Sequence, residues 1–412
     1  MKTLIFEQWP GGHHFNYLEC ITEALSAISD QVIVAMPHKA ANSDAFSRVR
    51  TVLTSLGNVV FDEDVEDLGE DSSKASGQAV ARNAYLAIRR ASPNHVFLPT
   101  ADEFFVELAV ILFTLGRAIL SRTKIEAVIH NKKFSGAASW PAGIAVGVRR
   151  ATVLTGVYSR VNFVNFLLSD GWAEPALKRG AVKIGIVGDP VPEPLHVSKF
   201  DARRALGLSA DAQYLGMVGA LSGLKAVPET LAAFRICANT SQSKLLLAGM
   251  LSRRFKELLN REYGDLVGGG RIVCLDRFLT AEELWMAMAA IDVHCSVYDM
   301  FFGLSSLMLK CLAQDTPVIT HNYGWAGEIV RRFGVGFATN IKNSEEYSRD
   351  MLTALQKCKE YRRTEAVERL LKFHSIENFT NCVTEDVAAA AGKERTIETI
   401  NWSWVVDALA GG

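Results

Sequence analysis

The segment Thr316–Val330, Thr-Pro-Val-Ile-Thr-His-Asn-Tyr-Gly-Trp-Ala-Gly-Glu-Ile-Val, constrains this chain most. It reads as a short apolar strand, a glycine turn, and a helix that opens just before a glutamate. Ahead of it runs Gly303–Ala313, whose apolar positions recur at helical spacing. Helix, strand, turn and helix in this order build a ligand cleft in parallel α/β proteins.

The rest of the chain repeats that alternation. In the first half, Thr3–Phe6, Gln31–Met36, Asn58–Phe61, His95–Pro99 and Glu126–His130 are β-branched or apolar runs, with helical patterns between them. This is the signature of a parallel sheet covered on both faces, continued by Val153–Leu168 and Val182–Val187. Gly188–Pro194 then places three prolines in seven residues, which removes backbone donors and stiffens the chain as in an interdomain linker. A short helix over Asp201–Leu208 leads to a second alternation. Its strands are Leu215–Val218, Lys244–Ala248, Arg271–Cys274, Val293–Ser296, Pro317–Thr320 and Gly336–Ala338, and its helices include Ala226–Ala238 and Ala281–Ala290. Two such sheets are expected to face each other with the carboxyl ends of their strands at the rim of a cleft.

A chain of 412 residues with 49% hydrophobic content can bury a sizeable core and favours two domains. With 44 basic against 45 acidic side chains the net charge is −1, which argues against a nucleic-acid partner. Seven widely spaced cysteines without a Cys-x-x-Cys pair fit a reducing compartment, neither a disulfide framework nor a zinc site. At the start, Glu7 ends the apolar run too early for a signal peptide, so Met1–Phe6 reads as a buried first strand. Phe104–Leu120 comes nearest to a membrane span, but Glu107 and Arg117 interrupt it and it falls short of the ~20 residues required, so it reads as a core helix. Lys132, Lys133, Arg149 and Arg150 flank the apolar stretch Ala137–Val148. Peripheral contact with the inner face of a membrane therefore stays open for a cytoplasmic protein, beside the commoner meaning of a core helix with solvated ends.

Three stretches carry a family resemblance. Lys310–Ile319 followed by Gly324-Trp-Ala-Gly-Glu328 matches a helix ending in EAMAxGxPVV and its xxGGxxE turn. Met217–Lys225 falls on a strand ending in vGRLxxxKG, with Gly219 and Lys225 in register and Ala220 at the arginine. Trp9–Asn16, ahead of helical Tyr17–Leu25, is similar to an N-terminal glycine loop. Together these resemble glycosyltransferase family 4, whose two-domain GT-B fold pairs two Rossmann-like parallel-sheet domains across a cleft and returns a C-terminal helix to the first. The resemblance implies an acceptor-binding domain over 1–190, with 385–412 packing back on it, and a nucleotide-sugar-binding domain over 191–384. Glu377–Ala391 and the tail Thr396–Leu409 are the candidates for the return.

Several residues could then carry chemistry. The resemblance assigns Gly219, Lys225, Ser305, Ser306, Lys310, Gly324, Trp325 and Glu328 to the donor nucleotide. A helix opening at Ser305 and Ser306 offers amides and a positive dipole end to a diphosphate, although serines also cap helices ordinarily. Gly219 lets backbone approach a ligand and Lys225 supplies a point charge. Trp325 either lines the pocket or joins the core, while Glu328 reads chiefly as a charge at the start of the following helix. His130, at a strand end, is a candidate for proton or phosphate contact. Gly11, Gly12, His13 and His14 form an acceptor-side loop, and Asp102 either orients an acceptor hydroxyl or starts a helix.

The chain departs from the family at the two glutamates of its retaining members, where Phe302 and Lys310 stand. Asp299 is the nearest acid to the first vacancy, and Lys310 could replace the charge lost at Ala220. The implied activity is transfer of a hexose-type sugar from a nucleotide diphosphate donor to a saccharide, lipid-linked or protein acceptor. No cofactor or resident metal is expected, since helix ends and lysine can neutralise the leaving diphosphate. The alternative is a GT-B-shaped binding partner of an active transferase.

Overall fold

A computed structural model describes residues 1–8, 13–69, 76–101, 104–129, 161–162, 166–167, 186–221, 223–390 and 398–410. The alternating apolar runs become two six-stranded sheets. The first is ordered β3-β2-β1-β4-β5-β6, from β1 (Lys2–Phe6), β2 (Gln31–Pro37), β3 (Val59–Val65), β4 (His95–Leu98), β5 (Lys124–Ala127) and β6 (Val161–Asn162). All of its pairings are parallel, with Ile5 opposite both Val34 and Phe97. A separate parallel pair joins β7 (Phe166–Leu167) to β8 (Ile186–Val187).

The second sheet repeats the pattern as β11-β10-β9-β12-β13-β14. Its strands are β9 (Tyr214–Val218), β10 (Lys244–Ala248), β11 (Ile272–Leu275), β12 (Val293–Ser296), β13 (Val318–His321) and β14 (Gly336–Thr339). In both sheets the connections run outward in one direction from the first strand and then reverse. The reversal lies between β1 and β4 in one sheet and between β9 and β12 in the other, and such switch points open a crevice at the carboxyl ends of the strands.

Burial follows from the crossovers. Helices on both faces remove both sides of a parallel sheet from water, so its central strands carry uninterrupted apolar residues. Leu4 and Ile5 of β1 and Leu245, Leu246 and Leu247 of β10 are 0% exposed.

The contacts divide the chain into two compact units. One comprises the described residues of Met1–Pro190 with Phe373–Trp402, the other those of Val191–Lys372 with Ser403–Gly412. Of the two candidates for the return, helix Ile376–Ala390 is the one that joins the first unit. Its Phe379, Val383 and Val387 enter the same core as Leu18, Ile21 and Leu25 of helix His13–Ser26, and the Tyr17 and Phe379 rings meet edge-on at 5.3 Å. The tail helix Trp402–Ala410 falls mostly in the second unit, where the Arg369 guanidinium lies 4.7 Å from the Trp404 ring and donates to the Trp404 carbonyl.

The apolar stretch read as one core helix, Phe104–Leu120, is broken at Gly116 into Phe105–Leu115 and Arg117–Leu120. Phe105, Leu108, Ala109 and Leu112 face Leu98 of β4 and Ile125 and Ala127 of β5. Among the described residues, no helix is long and apolar enough to cross a membrane.

Candidate functional site

The second switch point gathers most of the donor-side candidates. β9 ends at Val218, and Gly219 leaves it with φ +90°, a conformation open to glycine and strained for other residues. A Cβ at Gly219 would lie 2.8 Å from Leu307 Cδ1 and 3.2 Å from Lys225 Nζ. The backbone at the end of β9 thus runs directly against the first turn of helix Ser306–Ala313 and over the Lys225 amine.

Lys225 is 9% exposed and its ammonium donates to the Val218 carbonyl. Burial is the main cause that brings its pKa down to about 7. His294 of β12 lies in the same buried layer, and burial first, then Lys225, push it down to about 3.

Lys225 pairs across an isolated antiparallel bridge with Tyr298, just beyond β12. The Tyr298 hydroxyl is 2.8 Å from Ser305 Oγ. Ser305 therefore occupies the N-cap position of helix Ser306–Ala313 without its side chain capping the helix. The first-turn amides, at the positive end of the dipole, stay uncapped by that side chain.

The glycine turn closes the other side. Gly324 has φ +67°, and a Cβ there would lie 2.7 Å from Phe302 Cα. Trp325 N–H donates to the Phe302 carbonyl at 2.8 Å, and the Phe302 ring rests 5.4 Å from the Tyr323 ring. Tyr323 donates its hydroxyl to the Tyr298 carbonyl at 2.7 Å and accepts from Met300 N–H at 3.0 Å. His321, at the end of β13, lies between these rings, 4.4 Å from Tyr323 and 6.2 Å from Tyr298. Burial brings its pKa down to about 4, so the imidazole is neutral at physiological pH.

Gly219, Lys225, Ser305, Ser306 and Gly324 therefore come together. Other candidates lie elsewhere. Trp325 is 1% exposed and enters the core, with the Arg332 guanidinium 5.3 Å from its ring. Glu328, read as a charge at the helix start, lies in the second turn of Gly324–Phe333. There it pairs with Arg331 at 3.1 Å and Arg332 at 2.7 Å, and the Arg332 hydrogen bond does most to hold its carboxyl below the usual range. Its spacing to two arginines, three and four residues on, makes it an intrahelical partner.

Lys310 turns toward the neighbouring helix, its Nζ 5.8 Å from the Trp285 ring. Asp299 is 45% exposed and pairs with Lys342 at 3.1 Å, and Lys342 also holds Glu229 at 2.8 Å. Gly11, Gly12, Asp102 and His130 lie outside the described residues, and His13 opens helix His13–Ser26. His14, the next residue, has Nδ1 3.4 Å from Glu7 Oε2. Sequence reading passed over Tyr298, His321 and Tyr323. The signal was present as aromatic side chains directly after β12 and at the end of β13, ahead of the glycine turn.

Among the described residues no group of histidine, cysteine, aspartate and glutamate could hold a metal. The sequence contains one Asp-Glu-Asp run, Asp62–Asp64, on edge strand β3. Its Asp62 pairs with Arg90 at 2.9 Å and its Glu63 with Arg50 at 2.8 Å.

No family model and no curated protein matches the chain. Solved structures do. Anabaena HepE in complex with UDP and glucose shares 16% identity at a TM-score of 0.61, over 94% of this chain and 100% of that one. Sucrose-phosphate synthase from Thermosynechococcus elongatus shares 15% at 0.67, over 95% and 100%. WaaG, a glycosyltransferase involved in lipopolysaccharide biosynthesis, shares 11% at 0.59, over 94% and 99%. At these identities the likeness establishes the architecture, and it is the GT-B fold.

Proposed function

We propose that this protein transfers a hexose-type sugar from a nucleotide diphosphate donor, bound in the second unit, to a saccharide or glycoconjugate acceptor bound by the first. The observation that carries this reading is the packing of Gly219 against the first turn of helix Ser306–Ala313, with Lys225 beneath. Such a place would offer a diphosphate backbone amides, a positive helix end and an amine. These groups would stabilise charge on the leaving diphosphate without a resident metal. Support also comes from the architecture, shared with a structure that holds UDP and glucose.

On this reading Lys225 takes up a proton as it meets the diphosphate, because burial brings the pKa of the amine down to about 7. Tyr298, bonded to Ser305, fixes the bridge that carries Lys225. His321, neutral and buried beside Tyr323, suits hydrogen bonding to a sugar better than proton transfer.

Calorimetric titration with UDP, GDP and ADP tests the proposal, with a Lys225→Ala, Ser306→Ala protein as control. Binding of one nucleotide that the double change abolishes is the expected result. A folded protein that binds none of them would overturn it in favour of the binding-partner reading, which the Phe302 and Lys310 substitutions would then explain.

A further inference from the structure

The loop Tyr298–Ser305, which enters helix Ser306–Ala313, carries three polar side chains, Tyr298, Asp299 and Ser305, and each is already engaged. The Tyr298 hydroxyl lies 2.8 Å from Ser305 Oγ, and Asp299 pairs with Lys342 at 3.1 Å. The rest of what the loop shows to solvent is apolar. Met300 is 57% exposed, and Phe301 and Phe302 are half-buried. On the neighbouring segment Leu224 is 55% exposed, and its carbonyl accepts from Asp299 N–H at 3.0 Å. Met300 also has φ +53°, a left-handed backbone that side chains other than glycine's rarely adopt. Its neighbours hold it there. Met300 N–H donates to the Tyr323 hydroxyl at 3.0 Å, that hydroxyl donates to the Tyr298 carbonyl at 2.7 Å, and Trp325 N–H donates to the Phe302 carbonyl at 2.8 Å.

From this arrangement we propose that the sugar carried by the donor is a 6-deoxyhexose, with its methyl group against Met300 and Phe302. The inference rests on the sugar-transfer reading above. A diphosphate at the first turn of helix Ser306–Ala313 brings its glycosyl group to the loop that enters that turn. Each sugar hydroxyl that loses water there needs a hydrogen-bond partner, and the polar side chains of this loop are committed to one another or to Lys342. A 6-deoxyhexose presents a methyl group where a hexose presents a hydroxymethyl group, so the substituent gains by leaving water instead of losing a partner. A merely structural loop would need neither the exposed thioether nor its strained backbone. Glycine would adopt φ +53° freely, and a polar side chain would face water without cost.

The test uses the full chain, in calorimetric titrations and in assays of nucleoside diphosphate release with water as the acceptor. UDP-glucose, GDP-mannose and ADP-glucose are each compared with the 6-deoxy analogue, so that the members of a pair differ by one oxygen atom. For the base that binds, the 6-deoxy donor should bind and turn over about 10- to 100-fold better, the discrimination that an apolar pocket achieves against an added hydroxyl. Met300→Gln keeps an unbranched side chain and supplies an amide. It should narrow the preference by about 2- to 10-fold, the worth of one neutral hydrogen bond.

Hexose donors bound as tightly as their 6-deoxy analogues, or more tightly, by a protein that binds the free nucleotide would overturn the deoxysugar inference while leaving the sugar-transfer reading standing. A preference that Met300→Gln leaves unchanged would do the same. Failure of the wild-type protein to bind any nucleotide would overturn both. Met300 is exposed, so its replacement should fold; if it does not, the paired donors on the wild-type protein decide the matter.

Discussion

Single residues set the proposed donor site through what they lack as much as through what they carry. Gly219 combines a left-handed backbone with space for no Cβ. Gly219→Ala should lower the free energy of unfolding by about 1–3 kcal/mol and weaken nucleotide binding, readable by urea denaturation and calorimetry. Lys225 makes a prediction with a definite sign. Its folded pKa is about 7 against 10.5 unperturbed, so between those values the unfolded state holds more protons. Stability should therefore rise with pH across that window. Lys225→Met should flatten that rise, and urea titrations at pH 7 and pH 9 would reveal it. Gly219 and Lys225 could be named from the sequence because a glycine after a strand and a lysine six residues on are local features. Glu7 was legible only as the end of an apolar run, since its partners His14 and Thr100 are brought to it by folding.

At the scale of elements, parallel register decides which charges meet. Lys124 lies opposite His95 where β5 runs beside β4, and Glu126, two residues on, turns its buried carboxylate to both. The His95 Nε2 and Lys124 Nζ distances are 3.1 and 2.6 Å. Burial alone would raise the Glu126 pKa, but hydrogen bonding and charge from His95, with Lys124, hold it below its usual value of 4.5. Its stabilisation is thus present above pH 4.5 and lost as pH falls through the lower folded value. Glu126→Gln should cost about 3–5 kcal/mol at pH 7, as breaking a buried pair does. The gap to wild type should narrow in acid, which urea unfolding at pH 7 and pH 4 would measure. The strands themselves were legible from apolar runs, most with ends displaced by a residue or two, but β3 runs four residues past Phe61 and β5 ends three before His130, while much of Val153–Leu168 and Val182–Val187 lies outside the described residues. The break at Gly116 and the intrahelical role of Glu328 were not, because both depend on where a helix turn starts.

For the whole molecule, the return of the chain is the decisive event. Helix Ile376–Ala390 completes the core around helix His13–Ser26, hundreds of residues away in sequence, and Phe379 is 0% exposed at that junction. Phe379→Ala should destabilise the first unit by about 3–5 kcal/mol, lowering its unfolding temperature in differential scanning calorimetry. A nucleoside diphosphate at about 100 times its Kd should stabilise the second unit by about 2.7 kcal/mol, so the same scan would separate the two units.

The sequence by itself determined two doubly wound parallel sheets, because apolar runs buried on both faces and joined by amphipathic helices have few other ways to escape water. It also marked Gly219, Lys225 and the opening of helix Ser306–Ala313, whose properties are local. Only the tertiary structure decided that Ser305 turns to Tyr298, that Asp299 is held by Lys342, and that Glu7 lies beneath His14 and Thr100. Each of these is a contact between segments that the strand order brings together, and which side chain reaches which partner depends on that order and on the space left at the carboxyl ends of the strands.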